Sequence, residues 1–111
     1  MTKTVILYSD RRRREPFTRW LLAVRDTTAR YRIQARIRRI ESGNYGDHRR
    51  FGGIIEFRLD FGPGHRIYAA EDGNTVVILL TGGDKSTQKK DIQKALEYLE
   101  DYHEQKKTQN I

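Results

Sequence analysis

Two arginines, Arg58 and Arg66, flank a Gly62-Pro63-Gly64 turn, each in a stretch where apolar and polar residues alternate. Pairing these stretches as a hairpin sets both guanidiniums on one face, opposite the apolar positions Phe57, Leu59 and Ile67. Glu56 and Tyr68 fall on the same face, expected to be open. Lys85 reaches it from the end of the next strand, where Gly82 and Gly83 allow close backbone approach, and His65 sits in the turn beside them. Such a set suits phosphodiester chemistry on RNA. The 2′-hydroxyl attacks its own phosphate after losing its proton, and the 5′-oxygen leaves with a donated one. Arg58, Arg66 and Lys85 would stabilise the pentavalent oxyanion, with Glu56 or Tyr68 as base and His65 or Lys85 as acid. Neither a metal nor a cofactor is called for. Alternation alone favours a second reading, in which Arg58, Glu56 and Asp60 form an exposed ion-paired strand face.

The charge distribution points to a polyanion. The 111-residue chain carries a formal net charge of +7, with 15 arginines and seven lysines. Residues 11–50 hold 13 arginines against four acids, a local excess of +9, whereas residues 51–84 sum to −3. Guanidinium forks bind phosphate by paired hydrogen bonds, which makes Arg30, Arg36, Arg39, Arg49, Arg50 and Lys89 candidate nucleic-acid contacts; a solvated helix face or a partner-docking surface is the alternative. The absence of cysteine excludes disulfides and thiolate metal sites. No apolar run reaches the ~20 residues of a membrane span, and a cytoplasmic location is expected.

The elements that must position these groups follow from periodicity. Thr4–Tyr8 reads as a buried strand. Pro16 opens a helix with Phe17, Trp20, Leu21 and Val24 on one face. Asp26, Thr27 or Thr28 caps a second helix carrying Ala29, Ile33, Ile37 and Ile40, ended by Ser42–Asp47. Ile54–Phe61, Arg66–Ala70 and Thr75–Thr81 read as a three-stranded antiparallel meander, the last strand apolar on both faces. A junction at residues 82–87 leads to a final helix from Ser86 to about Lys106, with a polar frayed tail from about 104. The expected architecture is one α+β domain over residues 1–111, in the order β-α-α-β-β-β-α. It comprises a helical hairpin packed on an antiparallel sheet, plus a C-terminal helix.

Several strings carry a family resemblance: Phe17-Thr-Arg-Trp-Leu21, Asp26-Thr-Thr-Ala-Arg30, Ala35-Arg-Ile-Arg-Arg39, Gly43-Asn-Tyr-Gly-Asp47 and Glu56-Phe-Arg58. Gly62-Pro-Gly-His-Arg-Ile-Tyr68 and Leu79-Leu-Thr-Gly-Gly-Asp-Lys-Ser-Thr-Gln88 are the most specific. Together, from about Phe17 to Leu99, the chain resembles the RelE/ParE superfamily of bacterial toxins, in its HigB-like, phage-derived addiction-module branch. The resemblance implies a RelE-like fold and the toxin of a type II toxin–antitoxin module: a metal-independent endoribonuclease that cuts messenger RNA in the ribosomal A site, inhibiting translation and growth. It also implies a helix-turn-helix antitoxin as partner, and functional groups at Arg58, Arg66 and Lys85. The branch commonly has Tyr where this chain has His65 and Leu where it has Phe57. ParE-type members inhibit DNA gyrase instead, and a non-catalytic nucleic-acid-binding module is a further alternative.

Overall fold

The computed structural model describes residues 1–109. In chain order its elements are β1 (Thr4–Leu7), α1 (Pro16–Ala23), α2 (Thr27–Glu41), β2 (His48–Phe51), β3 (Ile54–Leu59), β4 (His65–Asp72), β5 (Val76–Asp84), a 3₁₀ turn (Lys85–Thr87) and α3 (Gln88–Gln109). The five strands form one sheet in the order β1-β5-β4-β3-β2. Strand β5 is interior, as its apolar run requires: Val77 and Leu79 enter one core, Ile78 and Leu80 the other.

Three features depart from the sequence reading. The sheet is mixed rather than antiparallel, because β1 runs parallel to β5 with Thr4 opposite Val76; no local pattern can reveal a partner so distant in the chain. Strand β2 is an extra strand, closed onto β3 by Gly52-Gly53, with Phe51 opposite Ile54. Both glycines have positive φ, +58° and +84°, as a two-residue type I′ hairpin turn demands. Finally, the segment from Glu104, expected to fray, stays helical to Gln109. Gln105 donates to the Ser9 carbonyl at 3.0 Å and Lys106 pairs with Asp72, anchoring the last turns.

Helices α1 and α2 cover one face of the sheet. Asp26 caps α2 by accepting from the Thr28 and Ala29 amides, and Ile33 and Ile40 bury against Phe57, Ile67 and Leu79. Phe17 of α1 joins this core, and Trp20 packs so closely on β5 that a β-carbon at Gly82 would enter its ring. The opposite face is covered by α3. Its Ala95, Ile92, Leu96 and Leu99 pack on Ile54, Tyr68, Ala70, Ile78 and Leu80. Polar ties fix that helix along its length: Tyr8 donates to Asp101 at 2.6 Å and Tyr102 to Asp72 at 2.7 Å.

Candidate functional site

Register decides which side chains meet. Strand β3 pairs with β4 so that Arg58 lies opposite Arg66, Glu56 opposite Tyr68 and Leu59 opposite His65. Side chains alternate across a pleated strand, so Glu56, Arg58, Arg66 and Tyr68 share the face that α3 covers, and Leu59 and His65 share the other. The hairpin thus gathers four of the six expected site residues on one face. Lys85, exposed at the start of the 3₁₀ turn, stands beside them. A β-carbon built on Gly64 would lie 3.4 Å from the Lys85 Cβ and 3.5 Å from the Arg66 Nη1. His65 is the exception. It faces α1 between Trp20 and Phe61, with ring centroids at 5.9 and 5.7 Å. Burial, together with neighbouring Arg66, holds its pKa below the ordinary imidazole value despite Asp84. On the wrong side of the sheet and biased toward neutrality, it is not the acid for this face.

The face is not open either, because the apolar stripe of α3 docks on it. Glu56 is fully buried. Its Oε2 accepts from the Tyr68 hydroxyl at 3.1 Å and from Gln88 Nε2, on the first turn of α3, at 2.7 Å. Its Oε1 has no hydrogen-bond partner, and Arg49 Nη2 of β2 approaches it to 3.6 Å. Burial, then the Glu56 charge and hydrogen bond, push the Tyr68 phenol well above its usual pKa. Tyr68 therefore donates its proton and does not serve as a base.

The two arginines are neighbours held by different partners. Arg58 Nη2 donates to Asp47 Oδ1 at 2.8 Å, a bond that raises its already high pKa. Arg66 is 7% exposed, and its Nη1 donates to the Gly64 and His65 carbonyls at 3.1 Å each. The Nε of each arginine is shielded from solvent and makes no hydrogen bond. Buried donors normally find partners, so two orphaned N–H groups on adjoining residues mark a place where an acceptor is missing.

The other arginines have separate roles. Arg36 is buried and is no surface contact: its fork donates to the carbonyls of Tyr45 (3.0 Å), Asp47 (2.5 Å) and Arg58 (2.9 Å). It ties α2 to β3 and to the loop that carries Asp47. Arg50 pairs with Glu71 at 2.7 Å, and Arg49 lies over the Phe51 ring. Arg39 and Lys89 are exposed, and Arg30 is half-buried with its Nε unpartnered. Sequence reasoning missed Asp47 and Gln88 as site residues. Asp47 lay in a segment read as a helix terminator and Gln88 in the opening of the final helix, although both stood in strings that carry the family resemblance.

Fold and site together define a basic α+β protein whose sheet carries an arginine-lined polar cluster beneath its last helix. An uncharacterized protein of Haemophilus influenzae is 46% identical over 80 residues, which span 71% of this chain and 81% of that protein. The chain belongs to the family of that protein. No family model matches the sequence, and no solved structure matches it.

Proposed function

We propose that this protein is a RelE-like toxin of a type II toxin–antitoxin module, a ribosome-dependent endoribonuclease that cuts messenger RNA and so inhibits translation and growth. One observation carries the reading: the unpartnered Nε groups of Arg58 and Arg66, on cross-strand neighbours of one sheet face. A scissile phosphate supplies the acceptors these donors lack, and guanidinium stabilises the pentavalent oxyanion without risk of losing its own proton. The Arg66 fork turns out from the Gly64 and His65 carbonyls to grip it, and exposed Lys85 adds a third cation. With Tyr68 held as a donor, Glu56 is the acceptor for the 2′-hydroxyl proton, through its unpartnered Oε1. Lys85 protonates the departing 5′-oxygen. Access to Glu56 requires Gln88 to release it, so the start of α3 moves when RNA binds.

The partners under this proposal are the ribosome with its message, and an antitoxin of helix-turn-helix type. The test is induced expression in a bacterial host, with transcript ends and plasmid supercoiling measured together. New ends within translated messages, lost in Arg58→Ala and in Arg66→Gln variants that remain folded by circular dichroism, are expected. Growth arrest with intact messages and lost supercoiling would replace the nuclease with a gyrase inhibitor. No effect on growth or messages would remove both.

A further inference from the structure

On the opposite face of the sheet, a cavity of about 310 Å³ opens between the α1–α2 junction and the β3–β4 turn, lined by Trp20, Asp26, Phe61, Pro63, His65 and Asp84. Its size falls at the low end of the ~300–1,000 Å³ typical of small-molecule sites, enough for one planar group. Trp20 and Phe61 stand on either side of an imidazole 93% withdrawn from solvent, and the Arg32 guanidinium lies over the Phe61 ring at 4.7 Å. The His65 Nδ1 has no hydrogen-bond partner. The remaining polar groups at the cavity are mainly acceptors. Asp26 is engaged through Oδ1 with the first amides of α2, and Asp84 through Oδ1 with the Ser86 amide and hydroxyl. Each carboxylate therefore has its Oδ2 left over, and Arg25 is the cation among the described lining residues. Two carboxylates repel phosphate, so the ligand that fits is flat, carries no negative charge and is rich in donors along one edge.

We infer that this cavity takes a guanine base. Guanine alone among the RNA bases offers two adjacent donors, N1–H and the 2-amino group, to one carboxylate, while its ring stacks on aromatic walls. The inference rests on the nuclease reading for its purpose, because the cavity adjoins the arginine site. His65 and Arg66 are consecutive residues on opposite faces, and Asp84 immediately precedes Lys85. A strand of RNA crossing the Gly62-Pro63-Gly64 turn would place a phosphate on one side and the neighbouring base on the other, making the cavity a determinant of cleavage sequence.

Trp20 is the chain's one tryptophan, so its fluorescence reports occupancy without any cleavage. Titration of the full-length protein with the four nucleosides, which lack phosphate, is expected to show saturable quenching by guanosine, with the other three at least about tenfold weaker. Phe61→Leu keeps the bulk but removes a π face, and should weaken guanosine by about 5- to 150-fold, the range of base–aromatic stacking. Asp84→Asn keeps a capping acceptor for Ser86 yet should erase the preference of guanosine over adenosine. No saturable quenching, equal response to all four nucleosides, or unchanged binding in both variants would overturn the inference. Guanosine binding by a protein that cuts no RNA would sink the nuclease and leave the cavity assignment standing. Cleavage whose sequence preference is the same in Asp84→Asn, with no quenching, would do the reverse.

Discussion

Arg36 separates a structural arginine from a nucleic-acid contact, and replacing it with methionine tests the distinction. In the folded protein its fork donates to three backbone carbonyls, of Tyr45, Asp47 and Arg58, from a buried position on α2. Methionine fills a similar volume and removes all three donors. Each hydrogen bond to a charged group contributes roughly 1.5–3 kcal/mol, and a buried carbonyl left without a donor costs ~1–3 kcal/mol. Partial rehydration of the 45–47 loop returns some of this, so a net loss of about 3–5 kcal/mol is expected. That is a large share of the ~5–15 kcal/mol that holds a domain together. Arg36→Lys should recover little, since one ammonium cannot reproduce a planar fork spanning three acceptors. Urea denaturation measures the loss, and a salt titration of RNA binding, using whatever folded variant remains at low temperature, measures the contact. The expectation is a much lower midpoint with an unchanged salt slope. A loss under about 1 kcal/mol, with a slope reduced by about one, would instead make Arg36 a phosphate contact.

Three other perturbations follow from the packing. Gly82→Ala places a β-carbon in the Trp20 ring and should destabilise the protein by at least ~1–3 kcal/mol of overpacking, visible as a lower melting temperature and altered tryptophan emission. Tyr68→Phe removes one of the two donors to buried Glu56 and should cost ~1–3 kcal/mol in chemical denaturation; no change would mean that Gln88 alone satisfies the carboxylate. On acidification, two losses of stability should separate. The folded-state pKa of His65 is depressed, so the unfolded chain takes up its proton first; stability falls as pH drops below ~6.5 and levels off below the folded value, and His65→Gln should flatten that step. Asp84 and Asp101, held low mainly by hydrogen bonds from Ser86 and Tyr8 respectively, contribute stability that is present above ~4 and is lost on further acidification.

The sequence made the hairpin legible because two local signals agreed. Alternation assigned Phe57, Leu59 and Ile67 to the core, and the Gly62-Pro63-Gly64 turn set the pairing that places Arg58 opposite Arg66. The turn assignment misplaces His65, which looks like a turn residue but begins β4 in register with Leu59. Counting back one residue from Arg66 would have put it on the other face. Strand β2 hid because Arg49 and Arg50 make its centre polar. An edge strand tolerates this, with Arg49 lying on Phe51 and Arg50 pairing with Glu71. Only Gly52-Gly53 announced it. The stripe on α3 was visible, but not its destination: nothing in a helical period says which sheet face it covers, so an open cluster was expected where Glu56 is buried. Arg36 illustrates the general difficulty, since its charge reads as solvent-seeking until the three carbonyls that it serves are seen together.

Under the proposed function, Arg58 and Arg66 hold the phosphate whose neighbouring 2′-hydroxyl attacks it. This is tested with purified protein, ribosomes and a short message carrying a single 2′-deoxy substitution at the cut position. Products ending in a 2′,3′-cyclic phosphate and a 5′-hydroxyl are expected. No cut at the deoxy position is expected, with the rate lowered at least about 100-fold in Arg58→Ala, the order of one lost oxyanion donor. Cleavage that ignores both the missing hydroxyl and the missing guanidinium, or no cleavage of any ribosome-bound message, would contradict that function.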